Sequence, residues 1–95
     1  MASIEVSCSP SGNGWRCEVT VAEGGGETRH SVSVGRDDLT RLSPAGDSPE
    51  HVVRTSFEFL LEREPKESIL RTFDLPVIGR YFPEYEREIR RRLDR

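Results

Sequence analysis

The first third of the chain alternates apolar and polar positions with a period of two. Ile4, Val6 and Cys8 are separated by polar residues. Two further segments follow the same rule, with inward positions at Trp15, Cys17, Val19 and Val21 and then at His30, Val32 and Val34. Strict alternation is typical of strands that bury one face, and turn-forming runs at residues 9–14 and 24–26 separate the segments. Residues 1–34 are therefore predicted to form a three-stranded antiparallel β-meander.

The pattern changes to helical spacing between residues 48 and 63. Ser48 can cap a helix through its hydroxyl, and Pro49 suits the first helical position because it has no N–H to leave unpaired. Apolar positions, with one serine among them, then cover an arc of about 200°, roughly twice the arc that a surface helix needs. They are Val52, Val53, Ser56, Phe57, Phe59, Leu60 and Leu61. We predict a central α-helix over residues 48–63 that is covered on two sides, by the sheet and by the segment that follows.

Two less regular segments flank this helix. Residues 35–47 predict a short helical turn, from Asp37 to Leu42, and a loop. Residues 66–95 predict two to three short helices, the second capped by Asp74, because their apolar residues fall in three groups at helical spacing. The groups are Ile69, Leu70 and Phe73; Leu75, Ile78, Tyr81 and Phe82; and Tyr85, Ile89 and Leu93. The expected fold is a single α+β domain over residues 1–95, with the meander packed on the central helix and a C-terminal layer of short helices.

Length and charge limit the class of protein. The chain has 95 residues and a formal net charge of −3, as expected for one small acidic domain. Residues 1–47 carry seven acidic and four basic side chains, whereas residues 48–95 carry ten of each. An acidic protein is a poor general ligand for nucleic acid or for an anionic membrane. No apolar run approaches the ~20 residues of a membrane span, and the first residues lack a signal-peptide pattern, so we expect a cytoplasmic protein without a membrane partner.

The two cysteines are the first candidates for chemistry. A hairpin centred on Gly12 and Asn13 places Cys8 opposite Cys17, within reach of a disulfide. Because a cytoplasmic chain keeps its thiols reduced, and because buried cysteine behaves as a small apolar residue, we favour two reduced core cysteines over a disulfide. Zinc needs four ligands and no histidine pair lies near the cysteines, so neither a metal nor another cofactor is expected.

The remaining reactive side chains form no recognisable catalytic motif. His30 alternates with valines and is interpreted as a core or sheet-edge residue, and His51 lies on the polar side of the first helical turn. The chain has no nucleophile elbow and no HExxH, and its triple glycine is not followed by the Lys-Ser or Lys-Thr of a phosphate-binding loop. We therefore expect no catalytic residues and no enzymatic activity.

A row of arginines marks the last predicted helix. Glutamates stand four residues before Arg90 and Arg92, which is the favourable orientation for helical ion pairs. Arg87, Arg91 and Arg95 are left over and form a row with a spacing of four. Two interpretations stay open. The row is either a solvated helix end, where cations favour the dipole, or a candidate interaction strip for phosphate or for an acidic partner surface, such as the N-terminal half of a second copy.

Two resemblances concern the layout of the chain. Three strands followed by GDSPEHVVRTSFEFLLER resemble the HicB-type antitoxin domain, but the Pro-Asp-Leu-Pro-Gly signature expected between the strands is missing. SILRTFDLPVIGRYF is similar to a helix-turn-helix whose two short helices meet at Asp74, but it lacks the turn glycine and its second helix carries Pro76 and Gly79. These resemblances imply a nucleic-acid-binding or antitoxin-like regulator that uses the C-terminal helices.

The open edges of the predicted sheet favour a different function. A three-stranded sheet leaves two edges unpaired, and neither expected edge strand carries a proline or a lysine to block pairing. We therefore favour a small non-enzymatic protein–protein interaction or self-association module, whose partner is another protein or a second copy of the chain. Nucleic acid is the alternative partner.

Overall fold

A computed structural model of the chain describes residues 2–94 and gives an α+β fold. Three long strands come first, followed by two helices, a short strand and two further helices. In chain order these are β1 (Ser3–Ser11), β2 (Gly14–Glu23), β3 (Gly26–Gly35), α1 (Arg36–Leu42), α2 (Pro49–Leu61), β4 (Thr72–Asp74), α3 (Ile78–Tyr81) and α4 (Tyr85–Leu93). Single 3-10 turns at Lys66–Ser68 and Leu75–Val77 flank β4.

The two predicted hairpins form in the expected register. Gly12 has a φ of +57°, which suits a two-residue turn with glycine first, and Cys8 pairs with Cys17. In the second hairpin Gly24 and Gly25 both have positive φ, so only glycine suits both central positions of that turn without strain. One face of this sheet is buried under the helices, and the other is polar and solvated.

The predicted three-stranded meander is incomplete, because the sheet has four strands and is mixed. Thr72–Asp74 pairs in parallel with β3, so the strand order is β1-β2-β3-β4. The apolar spacing of Ile69, Leu70 and Phe73 predicted a helix at this place, and that prediction is wrong. The edge of β3 has backbone groups that need hydrogen-bond partners, and an extended segment can supply them whereas a short helix cannot. The Ser31 N–H, for example, donates to the Arg71 carbonyl oxygen at 2.7 Å.

His30, on the inner face of the sheet, forms a hydrogen bond to the segment that precedes β4. Its side chain is 2% exposed, and Nδ1 donates to the Leu70 carbonyl oxygen at 2.8 Å. Nε2 lies 2.9 Å from the Thr28 hydroxyl oxygen. Of the two interpretations of His30, a core or a sheet-edge residue, the structure shows the core residue, and its hydrogen bond to Leu70 helps to keep the chain extended before β4.

Helix α2 is covered on two sides, as its wide apolar arc predicts. The Ser48 hydroxyl accepts a hydrogen bond from the His51 N–H, so the predicted cap is present. On the sheet side, the Phe57 ring lies 5.2 Å from His30 and 6.2 Å from Phe73. On the other side, the helix contacts α4. The buried residues are Val52, Val53, Thr55, Ser56, Phe57, Phe59 and Leu60.

Helix α4 is fixed against α2 by a buried tyrosine. Tyr85 is 1% exposed, its ring lies 5.4 Å from the Phe59 ring, and its hydroxyl lies 2.7 Å from the Ser56 hydroxyl. Burial raises the pKa of the Tyr85 hydroxyl. Of the predicted C-terminal helices, the last is present as α4, and the middle one is a 3-10 turn followed by the four-residue α3.

The described residues contain no helix that is both long and apolar enough to span a membrane.

Candidate functional site

The predicted arginine strip is only partly available for binding. Arg87 and Arg91 are exposed on α4, whereas Arg95 lies outside the described residues. Arg91 is not left over, because its guanidinium donates to Glu88. The structure therefore places one side chain of the strip in an ion pair with its own helix, which lowers the charge that the strip can offer to an anion.

Ion pairs of two neighbouring residues connect α4 to other elements. Arg92 pairs with Glu88 at 3.0 Å, as predicted, and also with Glu62 at the end of α2, at 2.6 Å. The hydrogen bond from Arg92 is the largest of the effects that lower the pKa of Glu62. The predicted partner of Arg90, Glu86, instead accepts a hydrogen bond from Arg41 of α1 at 3.0 Å. Two charged side chains of α4, Glu86 and Arg92, therefore connect the helix to α1 and to the end of α2.

The cysteines are joined, so the favoured interpretation of two reduced thiols is wrong. Cys8 and Cys17 form a disulfide, with Cα atoms 4.0 Å apart. The geometric part of the prediction, that the two residues lie opposite each other, is confirmed. The error arises because the redox state was inferred from an expected cytoplasmic location and not from the pairing of the two residues. A pair of facing cysteines at adjacent-strand positions was the signal available for a disulfide.

The outer edge of β1 is unpaired along the strand. The short Cα separation of Cys8 and Cys17 identifies a non-hydrogen-bonded pair, whose backbone groups point away from the partner strand. By alternation, Ile4 and Val6 also direct their N–H and C=O groups outward. Their side chains, like that of Cys8, are only half-buried against the core.

Two details of the predicted edges need correction. Strand β1 extends to Ser11 and therefore includes Pro10, which gives one end of this edge a residue without an N–H. The second expected edge, β3, is covered by β4 over residues 31–33. The edge of β1 around Val6 is thus the longest stretch of unpaired backbone in the described sheet.

A small apolar cavity opens between the end of α2, β4 and α3. Its volume is about 190 Å³, and Leu60, Ile69, Phe73 and Ile78 are among its lining residues. Leu70 and Tyr81 line the cavity as well, with 48% and 66% of their surfaces exposed. The sequence placed both of these residues on the apolar sides of short helices. The structure corrects this expectation, since they are the two large apolar residues that it leaves most exposed.

Glu64 is the charged residue in the lining of this cavity. It is half-buried just after α2, and its N–H donates to the Leu60 carbonyl oxygen at 2.9 Å. Its carboxylate has no hydrogen bond or ion pair with any residue between 2 and 94. Burial raises the pKa of this carboxyl. No local pattern in the sequence indicates this burial, because it depends on chain segments that follow Pro65.

The histidines and carboxylates do not form a metal centre in the described part of the chain, where no group of three potential ligands meets. Both ring nitrogens of His30 have partners, Nδ1 the Leu70 carbonyl oxygen and Nε2 the Thr28 hydroxyl of the same strand. His51 is exposed at the start of α2.

Comparisons with known proteins add no family to these observations. No protein-family model matches the chain, and no match was found among curated proteins or among solved structures. The helix-turn-helix resemblance also fails on the structure, because Thr72–Asp74, which lies where its two helices would meet, is a strand.

Proposed function

We propose that this chain is a non-enzymatic protein-interaction module that acts by self-association, with a second copy of itself as the partner. The observation that carries the proposal is the unpaired outer edge of β1. Unpaired N–H and C=O groups of an edge strand are a template for another strand. Strand addition to such an edge is a recurrent mode of protein recognition, in which the main-chain hydrogen bonds supply the affinity.

The outward-facing groups favour one register for two copies of β1. An antiparallel pair centred on Val6 places Val6 against Val6 of the second copy and Ile4 against Cys8. In this register the outward N–H and C=O groups of Ile4, Val6 and Cys8 in one copy face the same groups of the other copy. They would form about six hydrogen bonds between the copies. Glu5 faces Ser7 in this register instead of a second Glu5, so the pairing avoids opposed like charges. A two-fold symmetric contact of this kind closes after two copies.

The side chains on the inner face support the same contact. Ile4, Val6 and Cys8 are half-buried at the rim of the core in one copy. Pairing of two β1 strands would bring the two sets together and remove further apolar surface from water, at about 25 cal/mol for each Å². The polar outer face of the sheet would stay solvated.

The proposal is tested by the mass of the protein in solution, measured by light scattering from ~10 μM to ~1 mM, because a small interface binds weakly. A single chain has a mass of 10.8 kDa, and we expect twice this mass at the upper concentrations. Val6→Pro should raise the dissociation constant at least tenfold. Proline removes the central outward N–H but leaves the ladder to β2 unbroken, since the Val6 N–H does not point to β2.

Val6→Thr is the matched control, because threonine keeps both the β-branched shape and the N–H, and it should lose much less dimer affinity than Val6→Pro. A natural chain that remains monomeric at the highest concentration would refute self-association. A Val6→Pro variant that dimerises as well as Val6→Thr would show that the copies meet at another surface.

A further inference from the structure

The apolar cavity beside Glu64 combines apolar walls with a charged residue. Its walls include Leu60, Phe73 and Ile78, and its lining includes Glu64, whose carboxylate has no partner among residues 2–94. A carboxylate that loses part of its water gains from a compensating partner, because desolvation of an unpaired charge is unfavourable. The raised pKa of Glu64 has burial as its cause, with no neighbouring cation that offsets it. The cavity thus lacks the positive group that its carboxylate favours.

We propose that this cavity binds a small primary alkylamine, with the ammonium group at the Glu64 carboxylate and the alkyl chain between the apolar walls.

The size of the cavity sets the size of the ligand. A volume of about 190 Å³ is well below that of a site for a drug-sized molecule. At about 30 Å³ for each water-sized group, it holds roughly six heavy atoms. A chain of four to six carbons that ends in nitrogen matches this space. Such a chain would also cover part of the exposed surfaces of Leu70 and Tyr81 at the mouth.

The lining also suits the cationic end of the ligand. An ammonium group has three N–H donors, and Ser68 provides a hydroxyl acceptor in the same lining as Glu64. The rings of Phe73, Tyr81 and Phe82 line the cavity, and aromatic faces attract ammonium groups. A neutral ligand of the same shape would use the apolar walls but leave the carboxylate unpaired.

A lysine side chain of a partner protein would present the same ammonium group, but the chain neighbours of the residues at the mouth disfavour it. Arg71 follows Leu70 in the chain and Arg80 precedes Tyr81, and both arginines are exposed. A protein partner whose backbone approached the mouth would have to desolvate these charges, which is unfavourable without matching acidic groups. A free amine enters the cavity without covering them.

Titration with n-pentylamine at pH 7, followed by the backbone amide chemical shifts, tests the proposal. 1-Pentanol is the neutral ligand of equal heavy-atom count. We expect saturable shifts at the amides of Leu70, Phe73 and Tyr81, with pentylamine binding at least tenfold more tightly than pentanol. Glu64→Gln should reduce the affinity for the amine about tenfold, the effect of losing a charged hydrogen bond, and leave the affinity for pentanol unchanged.

Glu67→Gln is the matched control, because Glu67 is an exposed carboxylate three residues away that pairs with Lys66 at 2.8 Å. It should bind both ligands like the natural chain. Equal affinity for amine and alcohol in the natural chain would overturn the proposal without reference to any variant. Tighter binding of Nα-acetyl-lysine amide than of pentylamine would overturn it in favour of a protein side chain. Shifts that spread over the whole protein, without saturation, would also overturn it.

Discussion

Leu60 is the residue at which the core and the apolar cavity meet. Its side chain is 3% exposed, yet it lines the cavity on one side. A buried leucine stabilises the fold both by leaving water and by filling space that its neighbours cannot fill. Because part of its surroundings is already empty, Leu60 makes fewer contacts than a leucine enclosed on every side.

We expect Leu60→Ala to lower the free energy of unfolding by about 2–3 kcal/mol, the lower part of the range for buried leucine. For a domain of this length, that corresponds to a fall in Tm of roughly 10–20 °C. Leu61→Ala, at the adjacent half-buried position of the same helix, is the control and should change the stability less. Thermal unfolding by circular dichroism measures both. An equal or larger effect at Leu61 would contradict the assignment of Leu60 to the core.

At the residue scale, alternation and helical spacing predicted the core of the first two thirds of the chain. Val19, Val32 and Phe57 are buried where the pattern places them. The same spacing failed for Leu70 and Tyr81, because three or four apolar residues in a short segment fit a helix and an irregular turn equally well. The conformation at Leu70 depends on a contact distant in sequence, the hydrogen bond from His30, which no local pattern contains.

At the scale of elements, the first hairpin is the part of the fold that the sequence specifies most strongly. Its tight turn, its register and a disulfide between Cys8 and Cys17 all specify the same pairing. Agreement among independent local features is what makes one structure preferred over its alternatives. The edge strand β1 gains most from the disulfide, since it has only one neighbouring strand.

Reduction of the disulfide should lower the stability measurably. A cross-link that closes a loop of about ten residues stabilises by roughly 2–3 kcal/mol through the restricted unfolded chain. We therefore expect a reductant to lower the Tm, and the Cys8→Ser/Cys17→Ser double variant to show the lower Tm with or without reductant. Mass spectrometry of the purified chain should find it two hydrogens lighter than the reduced form. A Tm that the reductant leaves unchanged, with two thiols that react on unfolding, would contradict this expectation.

The element that sequence analysis missed is β4, and the reason is physical. A strand of three residues contains too few positions for a period of two to be recognised. It forms because the exposed edge of β3 offers hydrogen bonds to a segment that begins more than thirty residues later in the chain. A long-range pairing of this kind is decided by the packing of the whole chain. The helices α2 and α4, in contrast, have enough turns to be predicted from spacing alone.

At the scale of the whole molecule, the charged side chains contribute more to contacts between elements of the fold than to an electrostatic field around the protein. Arg41, Arg63 and Arg92 each join a C-terminal or central helix to another element through a glutamate. Ion pairs at this degree of exposure each contribute little to stability, typically below about 1 kcal/mol. Of the four arginines of α4, two, Arg91 and Arg92, donate to glutamates. The formal net charge of the chain is −3, so no broad positive surface is expected to attract nucleic acid.

The remaining role of the arginine strip can be decided with a triple variant, Arg87→Gln/Arg91→Gln/Arg95→Gln. If the strip bound nucleic acid through three phosphate contacts, the logarithm of the affinity would fall with the logarithm of salt concentration with a slope of about −2 to −3, and the variant would flatten this slope. Because Arg91 already pairs with Glu88, we expect instead no binding of a duplex oligonucleotide above low salt.

The same variant separates the two ways in which copies could meet. Pairing through β1 does not involve α4, so the triple variant should keep the mass of the natural chain at every concentration. Docking of the strip on the acidic N-terminal half of a second copy would instead make the variant monomeric. Glutamine at three exposed arginines elsewhere, Arg16, Arg29 and Arg54, is the control for the change in net charge. A loss of dimer in the strip variant but not in this control would move the interface from β1 to α4.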